Sequence, residues 1–263
     1  LKRNVTFYTS NWGLLELREE IAKLFAKRYG LTYDPKDEIM VTVGVSEAIG
    51  LVMTTFLNPG DEVLIPDPAY LAYPACVSIA HGVPVLVPTY AKDEFRLTVE
   101  ELEKKVTPKT KAILIGYPNN PTGRLIPSYV LERVLDFCHQ HHIRLFLDEC
   151  FLDLSDDGIS MKGFLRDHPE LFILKAFTKS YGMAGVRLGY CLCSDNNLLA
   201  AMSKTAQPWN ISVLAQAAGV AALQEKQFLM QTKALIPVER CWLKDELEKL
   251  GFWVCSSKAN YLL

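Results

Sequence analysis

The sequence lacks the excess of basic residues that nucleic-acid and membrane-surface proteins carry. Its 28 lysines and arginines are outnumbered by 30 aspartates and glutamates, which gives a formal net charge of −2. Proteins that bind phosphate backbones or anionic lipids neutralise that negative charge with lysine and arginine. We therefore predict no nucleic-acid partner and no membrane partner.

Long hydrophobic runs are also missing. The longest stretch without a charged residue, 205–224, contains Pro208, Asn210 and three glutamines. A transmembrane helix needs about 20 mainly apolar residues, so a membrane span is not predicted. The chain does not open with the basic and then apolar segment of a secretory signal.

The sequence has no cysteine framework. Its seven cysteines form an odd set. The closest pair, Cys191 and Cys193, is separated by one residue, whereas zinc and redox motifs use two. We predict no metal site, and we interpret the cysteines as reduced, mostly buried thiols of a cytoplasmic protein.

Two phosphate-binding motifs of other α/β proteins are absent. A nicotinamide-dependent dehydrogenase would carry GxGxxG after an early strand, but residues 44–50 read GVSEAIG. A P-loop protein would carry GxxxxGK[ST], which does not occur. Both functions are therefore disfavoured.

What the sequence does have is a regular alternation of apolar, β-branched runs with helical patterns. Strands are predicted at 38–44, 62–67, 84–88, 111–117, 143–148, 171–177 and 187–193. Helices are predicted at 14–29, 46–56, 71–81, 99–105, 128–141, 195–205, 212–223 and 225–250. This alternation predicts an α/β fold with a mostly parallel sheet of about seven strands and helices on both faces.

The chain divides into two unequal predicted domains. Residues 1–225 contain all seven strands and form the large domain. Residues 226–263 consist of a long charged helix and two strand-like pieces, at 252–255 and 259–263, and resemble the start of a smaller domain. Leu1 lies within sequence that already looks structured and Leu263 ends an apolar run, so we expect both ends to be cut.

Ligands of open α/β sheets bind at the carboxyl ends of the strands. The segment 44–47, with Ser46 and Glu47, follows the first strand and opens a helix whose free N–H groups favour an anion. An ordinary helix cap is the alternative. Tyr70 follows the second strand, where plain packing is the alternative, and Asn120 lies in the turn after the fourth strand.

Charged residues follow the next two strands. Asp148 and Glu149 end the fifth strand, and buried carboxylates are costly unless a cation pairs with them. A helix cap or a structural ion pair is the alternative for them. Lys179 follows the sixth strand, flanked by hydroxyl residues and eight residues before Arg187. A lysine can form a Schiff base, and hydroxyl and guanidinium groups can hold a phosphate dianion.

Three strings in this order resemble one family: YPNNPTG at 117–123, DE at 148–149 and FTKSYGMAGVRLGY at 177–190. They are similar to the class I and II aminotransferases of pyridoxal-phosphate (PLP) fold type I, over essentially the whole chain. Residues 8–123 resemble aspartate or aromatic aminotransferases. The part from Asp148 onward is more similar to histidinol-phosphate aminotransferase and threonine-phosphate decarboxylase.

The resemblance implies roles for the candidate residues. Lys179 is placed like the lysine that forms the internal aldimine and later moves the proton, and Asp148 like the carboxylate that keeps the pyridine nitrogen protonated. Asn120 matches the partner of the phenolic oxygen, and Tyr70 the ring that stacks on the pyridine. The other cofactor-binding candidates are Ser46, Glu47, Thr178, Arg187 and Tyr8. Tyr8 is placed like a tyrosine that reaches the phosphate of a neighbouring subunit, which implies a homodimer.

The implied function is transfer of an amino group between an amino acid, or an amino-acid-like phosphate, and a 2-oxo acid. Two alternatives stay open: a decarboxylase of the threonine-phosphate type, and a fragment that folds without catalysis. In one departure from the family, Phe151 stands where a tyrosine often follows the aspartate. We also expect the arginine that binds the substrate carboxylate to lie beyond residue 263.

Overall fold

Residues 7–263 are described in a computed structural model of the chain. The helices are α1 (Leu15–Tyr29), α2 (Val45–Phe56), α3 (Ala72–Ile79), α4 (Val99–Glu103), α5 (Ser128–His141), α6 (Phe177–Ser180), α7 (Asn196–Thr205), α8 (Val213–Gln224) and α9 (Lys226–Lys249). The strands are β1 (Ile39–Thr42), β2 (Glu62–Asp67), β3 (Val83–Pro88), β4 (Thr110–Gly116), β5 (Arg144–Asp148), β6 (Leu171–Ala176) and β7 (Gly189–Leu192).

The seven strands form one sheet in the order β1-β7-β6-β5-β4-β2-β3. The neighbours from β6 to β3 are parallel, whereas β7 is antiparallel to both β6 and β1. Because β7 lies reversed between them, β1 and β6 run in the same direction. The predicted α/β fold with a mostly parallel sheet is confirmed.

Alternate residues of each strand face opposite sides of the sheet, and each side has its own core. Leu145 and Leu147 of β5 belong to the core that includes α1, α5 and α8. Phe146, between them, packs in the core that includes α2, α3 and α7. Each such side chain contributes about 1.5–3 kcal/mol by leaving water. The two cores place helices on both faces, as predicted.

Local signals fix the ends of several helices. Asp195 accepts hydrogen bonds from the N–H groups of Asn197 and Leu198 and so caps α7. Ser212 caps α8 in the same way through Ala215. Gly30 ends α1 with a φ of 67°, and its N–H bonds back to the last turn of the helix.

The predicted elements are present with boundaries shifted by a few residues, and two differences are informative. The predicted sixth strand was extended through Phe177, but Phe177 begins the short helix α6. The strand-like pieces at 252–255 and 259–263 are not strands. Their backbones share one hydrogen bond, from Cys255 N–H to Leu263 C=O at 2.7 Å, and Lys258 N–H bonds instead to Gly123 C=O. Within residues 7–263 no helix is both long and apolar enough to cross a membrane.

Candidate active site

A cavity of about 160 Å³ opens at the carboxyl edge of the sheet. Residues that follow β4, β5 and β6 meet there because these strands are parallel neighbours. The start of α2 reaches the same edge because β1 runs in the direction of β6. Seven of the predicted site residues line the cavity: Ser46, Tyr70, Asn120, Asp148, Thr178, Lys179 and Arg187.

Asp148 is the one carboxylate that lines this cavity, and it is only 9% exposed. Its Oδ2 accepts a hydrogen bond from the Tyr73 hydroxyl at 2.8 Å, and its Oδ1 accepts one from the Cys150 N–H at 3.0 Å. Burial raises the pKa of Asp148, and these two hydrogen bonds limit the rise. Among residues 7–225 and 227–263 no lysine or arginine lies within ion-pair distance of it.

Glu149 points to the opposite face of the sheet, although it is the next residue. It is fully buried, and its carboxylate accepts hydrogen bonds from the Ser160 hydroxyl and from the Met161 N–H at 3.0 Å. Lys175 Nζ lies 3.6 Å from it and 3.0 Å from Asp153. Glu149 is therefore part of a structural ion cluster, and Asp148 alone presents its charge to the cavity.

Lys179 lies on α6, directly after β6, and its side chain is exposed to solvent on the cavity side. Its Nζ is 4.9 Å from the centre of the Phe151 ring. In residues 7–263 no carboxylate pairs with this ammonium group within 4.0 Å. The lysine therefore presents an amine that is not held by a salt bridge.

The opposite side of the cavity gathers groups that bind anions. Ser46 lies in the first turn of α2, where unpaired backbone N–H groups and the helix dipole favour negative charge. Thr178 and Arg187 contribute a hydroxyl and a guanidinium group. Gly44 precedes α2 with a φ of 78°, and a Cβ there would lie 2.8 Å from Nη2 of Arg187. The glycine thus lets the guanidinium group lie close to the start of the helix.

Tyr70 and Asn120 complete the predicted lining. The Tyr70 ring meets the Tyr73 ring edge-on, with centres 5.5 Å apart. The preceding residue, Asn119, holds the turn: its side chain donates to Pro68 C=O at 3.0 Å and accepts from Thr122. Asn120 is thereby presented to the cavity.

The sequence model of the family named aminotransferase class I and II matches residues 1–263. This chain belongs to that family. It is 42% identical over 196 residues to aromatic-amino-acid aminotransferase 2 of Thermococcus litoralis, a match that covers 72% of this chain and 50% of the relative. The predicted family is confirmed.

Two further comparisons cover nearly the whole chain. Histidinol-phosphate aminotransferase 2 of Carboxydothermus hydrogenoformans is 29% identical over 262 residues, which cover 97% of this chain and 68% of the relative. The crystal structure of the aromatic aminotransferase from Pyrococcus horikoshii is 34% identical with a TM-score of 0.88, over 98% of this chain and 71% of that one. The chain spans half the length of several curated relatives.

Class I and II aminotransferases use PLP, and the cavity of this family member fits that cofactor. PLP carries a pyridine nitrogen that can hold a proton, a phosphate dianion and an aldehyde. The buried carboxylate of Asp148, without a cationic partner within 4.0 Å among residues 7–225 and 227–263, is complementary to a protonated ring nitrogen. Ser46, Thr178 and Arg187 suit the phosphate, and Lys179 offers an amine to the aldehyde.

Two predicted residues lie outside this cavity. The Glu47 carboxylate accepts hydrogen bonds from Val43 N–H at 2.5 Å and from the Asn210 side chain, so it holds the turn before α2. Tyr8 is 77% exposed and stacks on Trp209 with ring centres 4.3 Å apart. Their predicted contacts with the cofactor stay predictions, and for Tyr8 that contact requires a second subunit.

Three residues near the cavity were not predicted. Tyr73 and Cys150 donate to Asp148, and burial together with the charge of Asp148 raises the pKa of Tyr73. Tyr261 packs edge-on against Phe151, and its hydroxyl donates to Asn119 C=O at 2.9 Å. Tyr73 follows Tyr70 by one helical turn, a spacing that could have revealed it. Nothing in the sequence connects Tyr261 with the cavity.

A larger cavity, of about 1090 Å³, lies between α1, residues 158–163 and the start of α9. Volume alone would favour it, but none of the predicted site residues lines it. The smaller cavity is the candidate site because the carboxylate, the amine and the anion-binding groups converge there.

Proposed function

We propose that this chain binds PLP in the cavity at the carboxyl edge of the sheet and moves an amino group between an amino acid and a 2-oxo acid. The observation that carries the proposal is the convergence of Asp148, Lys179 and the Ser46–Thr178–Arg187 group in one cavity. The carboxylate matches the ring nitrogen of PLP, the amine matches its aldehyde, and the anion site matches its phosphate. The roles below are proposals for these side chains.

When bound, PLP supplies an aldehyde for the amino group and a ring that takes up the electron pair released at the substrate Cα. Asp148 is proposed to hold a proton on the ring nitrogen by charge pairing through its buried carboxylate. The Tyr73 hydroxyl and the Cys150 N–H keep that carboxylate in place. Because Asp148 is buried, water weakens the charge pair little.

Lys179 is proposed to provide the amine that binds the cofactor and, once free, to move the proton at Cα as a general base. Its position after β6 brings Nζ to the cavity, beside Phe151. Phe151 has no hydroxyl for the phenolic oxygen of the cofactor. The hydrogen bond to that oxygen is therefore assigned to the side chain of Asn120.

The phosphate is proposed to lie at the start of α2. Ser46 and Thr178 donate hydroxyl hydrogen bonds, and Arg187 adds a guanidinium charge that can bind two oxygens. Tyr70 is proposed to cover one face of the ring. These groups fix the cofactor so that the amine of Lys179 meets the reacting carbon.

The comparisons favour amino transfer over loss of CO2. The relatives compared above are named as aminotransferases of aromatic amino acids and of histidinol phosphate. We propose a substrate of this range, an amino acid or an amino-acid-like phosphate, with a 2-oxo acid as the acceptor. The residues that line the cavity do not distinguish an amino acid from an amino-acid-like phosphate as the donor.

We further propose that residues 1–225 form the cofactor-binding domain and that α9 and residues 250–263 begin a second one. A homodimer is proposed from the position of Tyr8. The seven cysteines are free thiols and five of them are buried, which supports a reducing, cytoplasmic compartment.

The test is a half-reaction with the PLP-loaded protein. Phenylalanine, aspartate and histidinol phosphate are added one at a time, and the corresponding carbonyl product and CO2 are both measured. We expect one of the donors to yield carbonyl product in an amount close to that of the protein, without CO2. Lys179→Ala should abolish the product, and the matched control Lys204→Ala, at an exposed lysine of α7, should not.

Release of CO2 instead would indicate a decarboxylase. Bound PLP without either product from any donor would indicate a fragment that keeps the cofactor site alone. Failure to bind PLP at all would contradict the proposed function.

A further inference from the structure

Three side chains outside the active site converge at the opposite edge of the sheet. His139 lies in the last turn of α5, and His168 and Glu170 lie just before β6. Lys179 follows the carboxyl end of β6, whereas Glu170 precedes its amino end. The cluster is therefore separate from the proposed cofactor site.

The two imidazoles meet one oxygen of the carboxylate. Nδ1 of His139 lies 3.1 Å from Oε1 of Glu170, and Nδ1 of His168 lies 3.0 Å from the same atom. One ligand atom from each of the three residues lies within 4.8 Å of the others. Imidazole nitrogen and carboxylate oxygen are ligands that Zn²⁺ accepts.

These spacings are somewhat shorter than those around a coordinated ion. Zn²⁺ is bound at about 2.0–2.2 Å by nitrogen and oxygen in a tetrahedron, so two of its ligand atoms lie roughly 3.3 Å apart. The two nitrogen–oxygen distances fall a few tenths of an ångström short of that value. Small outward shifts of both imidazole rings would make room for an ion between the three atoms.

The negative charge of Glu170 would also attract a cation. Its side chain is 12% exposed, and among residues 7–225 and 227–263 its ion-pair partners are the two histidines, with no lysine or arginine. A divalent ion would place positive charge beside this carboxylate, and each imidazole would bind it through Nδ1 with the ring proton on Nε2.

We propose that His139, His168 and Glu170 bind one divalent transition-metal ion of the Zn²⁺ class. The side chain of His139 is 68% exposed, so the fourth position of the ion is open to water. The ion would tie the last turn of α5 to the segment that leads into β6. Its expected effect is on the stability of this edge of the sheet.

The test is equilibrium dialysis of the full chain against ZnCl₂, without added PLP. It is carried out with Cys241→Ser protein, because Cys241 is the exposed thiol and thiolates bind zinc. We expect one Zn²⁺ per chain. At a free Zn²⁺ concentration about 100 times Kd, we expect Tm to rise by roughly 5–10 °C.

Three variants locate the ion. His139→Ala and Glu170→Gln should each weaken Zn²⁺ binding by at least about tenfold and remove the rise in Tm. His141→Ala is the matched control: His141 belongs to the same helix but packs on Phe137, with ring centres 4.3 Å apart, so its loss should leave Zn²⁺ binding unchanged. Because the side chain of His139 is exposed, His139→Ala should fold even if Glu170→Gln does not.

The proposal is overturned if no Zn²⁺ binds at micromolar concentrations, which would mean that the histidines only donate hydrogen bonds to Glu170. It is equally overturned if His139→Ala and Glu170→Gln bind Zn²⁺ as the parent does. Loss of binding in His141→Ala to the same degree as in His139→Ala would also contradict it.

Discussion

Asp148 and Glu149 are neighbours in the chain but serve different purposes, because successive strand residues face opposite sides of a sheet. Asp148 faces the cavity, and Glu149 faces the buried Lys175. The sequence predicted that a carboxylate pair at a strand end needs a cation. It could not show that only one of the two has a protein cation beside it.

The first prediction concerns the cost of burying Asp148. Burial raises the pKa of Asp148 in the folded protein. The protonated carboxyl therefore stabilises the fold fully below the unfolded pKa of about 3.9. This stabilisation is lost as the pH rises through the folded pKa. The cost of the buried charge is therefore greater at pH 7.5 than at pH 4. Without PLP, Asp148→Asn should then unfold at a temperature about 2–4 °C higher than the parent, the shift that about 1 kcal/mol gives.

The same variant should lose most amino-transfer activity, since an amide cannot pair with a protonated ring nitrogen. The difference in Tm should shrink near pH 4, where the parent carboxyl is protonated as well. Thermal unfolding at both pH values measures this. A lower Tm for Asp148→Asn at pH 7.5 would show that the hydrogen bonds from Tyr73 and Cys150 outweigh the cost of burial.

The second prediction concerns Lys175. Burial lowers its pKa, but the carboxylates of Asp153 and Glu149 outweigh burial and hold the pKa above its ordinary value. Lys175→Met removes the charge that balances these carboxylates and should lower the free energy of unfolding by about 3–5 kcal/mol at pH 7. Urea denaturation measures the change.

The matched control for it is Lys111→Met, in β4, because Lys111 has no ion-pair partner within 4.0 Å among residues 7–263. Its effect should stay within about 0.5 kcal/mol. Equal effects of the two substitutions would argue against a structural ion cluster around Lys175.

At the scale of the element, the start of α2 is the part of the site that depends most on backbone shape. Gly44 has a φ of 78° and a ψ of 169°, a region that residues with a Cβ rarely adopt. The sequence predicted a helix start with a serine at this point. It did not show that Arg187 lies against the glycine.

The third prediction therefore compares two glycines of the same segment. Gly44→Ala would place a Cβ 2.8 Å from Nη2 of Arg187 and strain the turn by about 1–3 kcal/mol. PLP affinity should fall, by roughly tenfold if about 1.4 kcal/mol of phosphate binding is lost. Gly50→Ala, inside α2 with nothing within 4 Å of its added Cβ, should keep that affinity and stabilise the helix by about 0.5–1 kcal/mol.

Titration with PLP and thermal unfolding of both variants test this prediction. An unchanged PLP affinity in Gly44→Ala would mean that the phosphate does not depend on the contact between Arg187 and the start of α2.

How much of the fold the sequence predicted differs between elements. Apart from the partly exposed edge strand β3, the strands of the sheet are mostly buried apolar runs of four to seven residues, and their composition reveals them directly. The helix α6 has four residues, too few for a helical period, so the sequence predicts Lys179 directly after a strand but does not predict this helix. The apolar residues at 252–263 resemble strands, but Lys258 bonds to Gly123 and no ladder forms.

The proposed zinc site shows a different kind of limit. His139 lies at the end of α5 and His168 lies in the segment before β6, so only the tertiary fold brings them together. No spacing of ligand residues in the sequence predicts such a site. The prediction that the chain has no metal site rests on cysteine spacing and stays a prediction.

At the scale of the whole molecule, the central question is whether a second copy of the chain takes part. Tyr8 is exposed in one chain and does not line its cavity. The fourth prediction is that sedimentation gives a mass about twice the 29.6 kDa of the chain. Tyr8→Phe should keep that mass but weaken PLP binding by about tenfold, because a hydrogen bond to a charged group is lost.

The control for it is Tyr129→Phe, at a tyrosine that is 64% exposed and lies on α5. It should change neither the mass nor the PLP affinity. The assignment of Tyr8 would be contradicted if the protein sediments as a monomer and its Tyr8→Phe variant binds PLP as tightly as the parent does.

The central claim is that Lys179 holds the cofactor, and its most direct test is to map the lysine that PLP modifies. The loaded protein is reduced with borohydride, digested, and analysed by mass spectrometry. The strongest competitor is Lys162, because burial and the nearby charge of Lys175 lower its pKa to about 8 and leave it a reactive amine. We predict one label per chain, on Lys179, that is lost in Lys179→Ala. A label on Lys162, or one that persists in Lys179→Ala, would contradict the account.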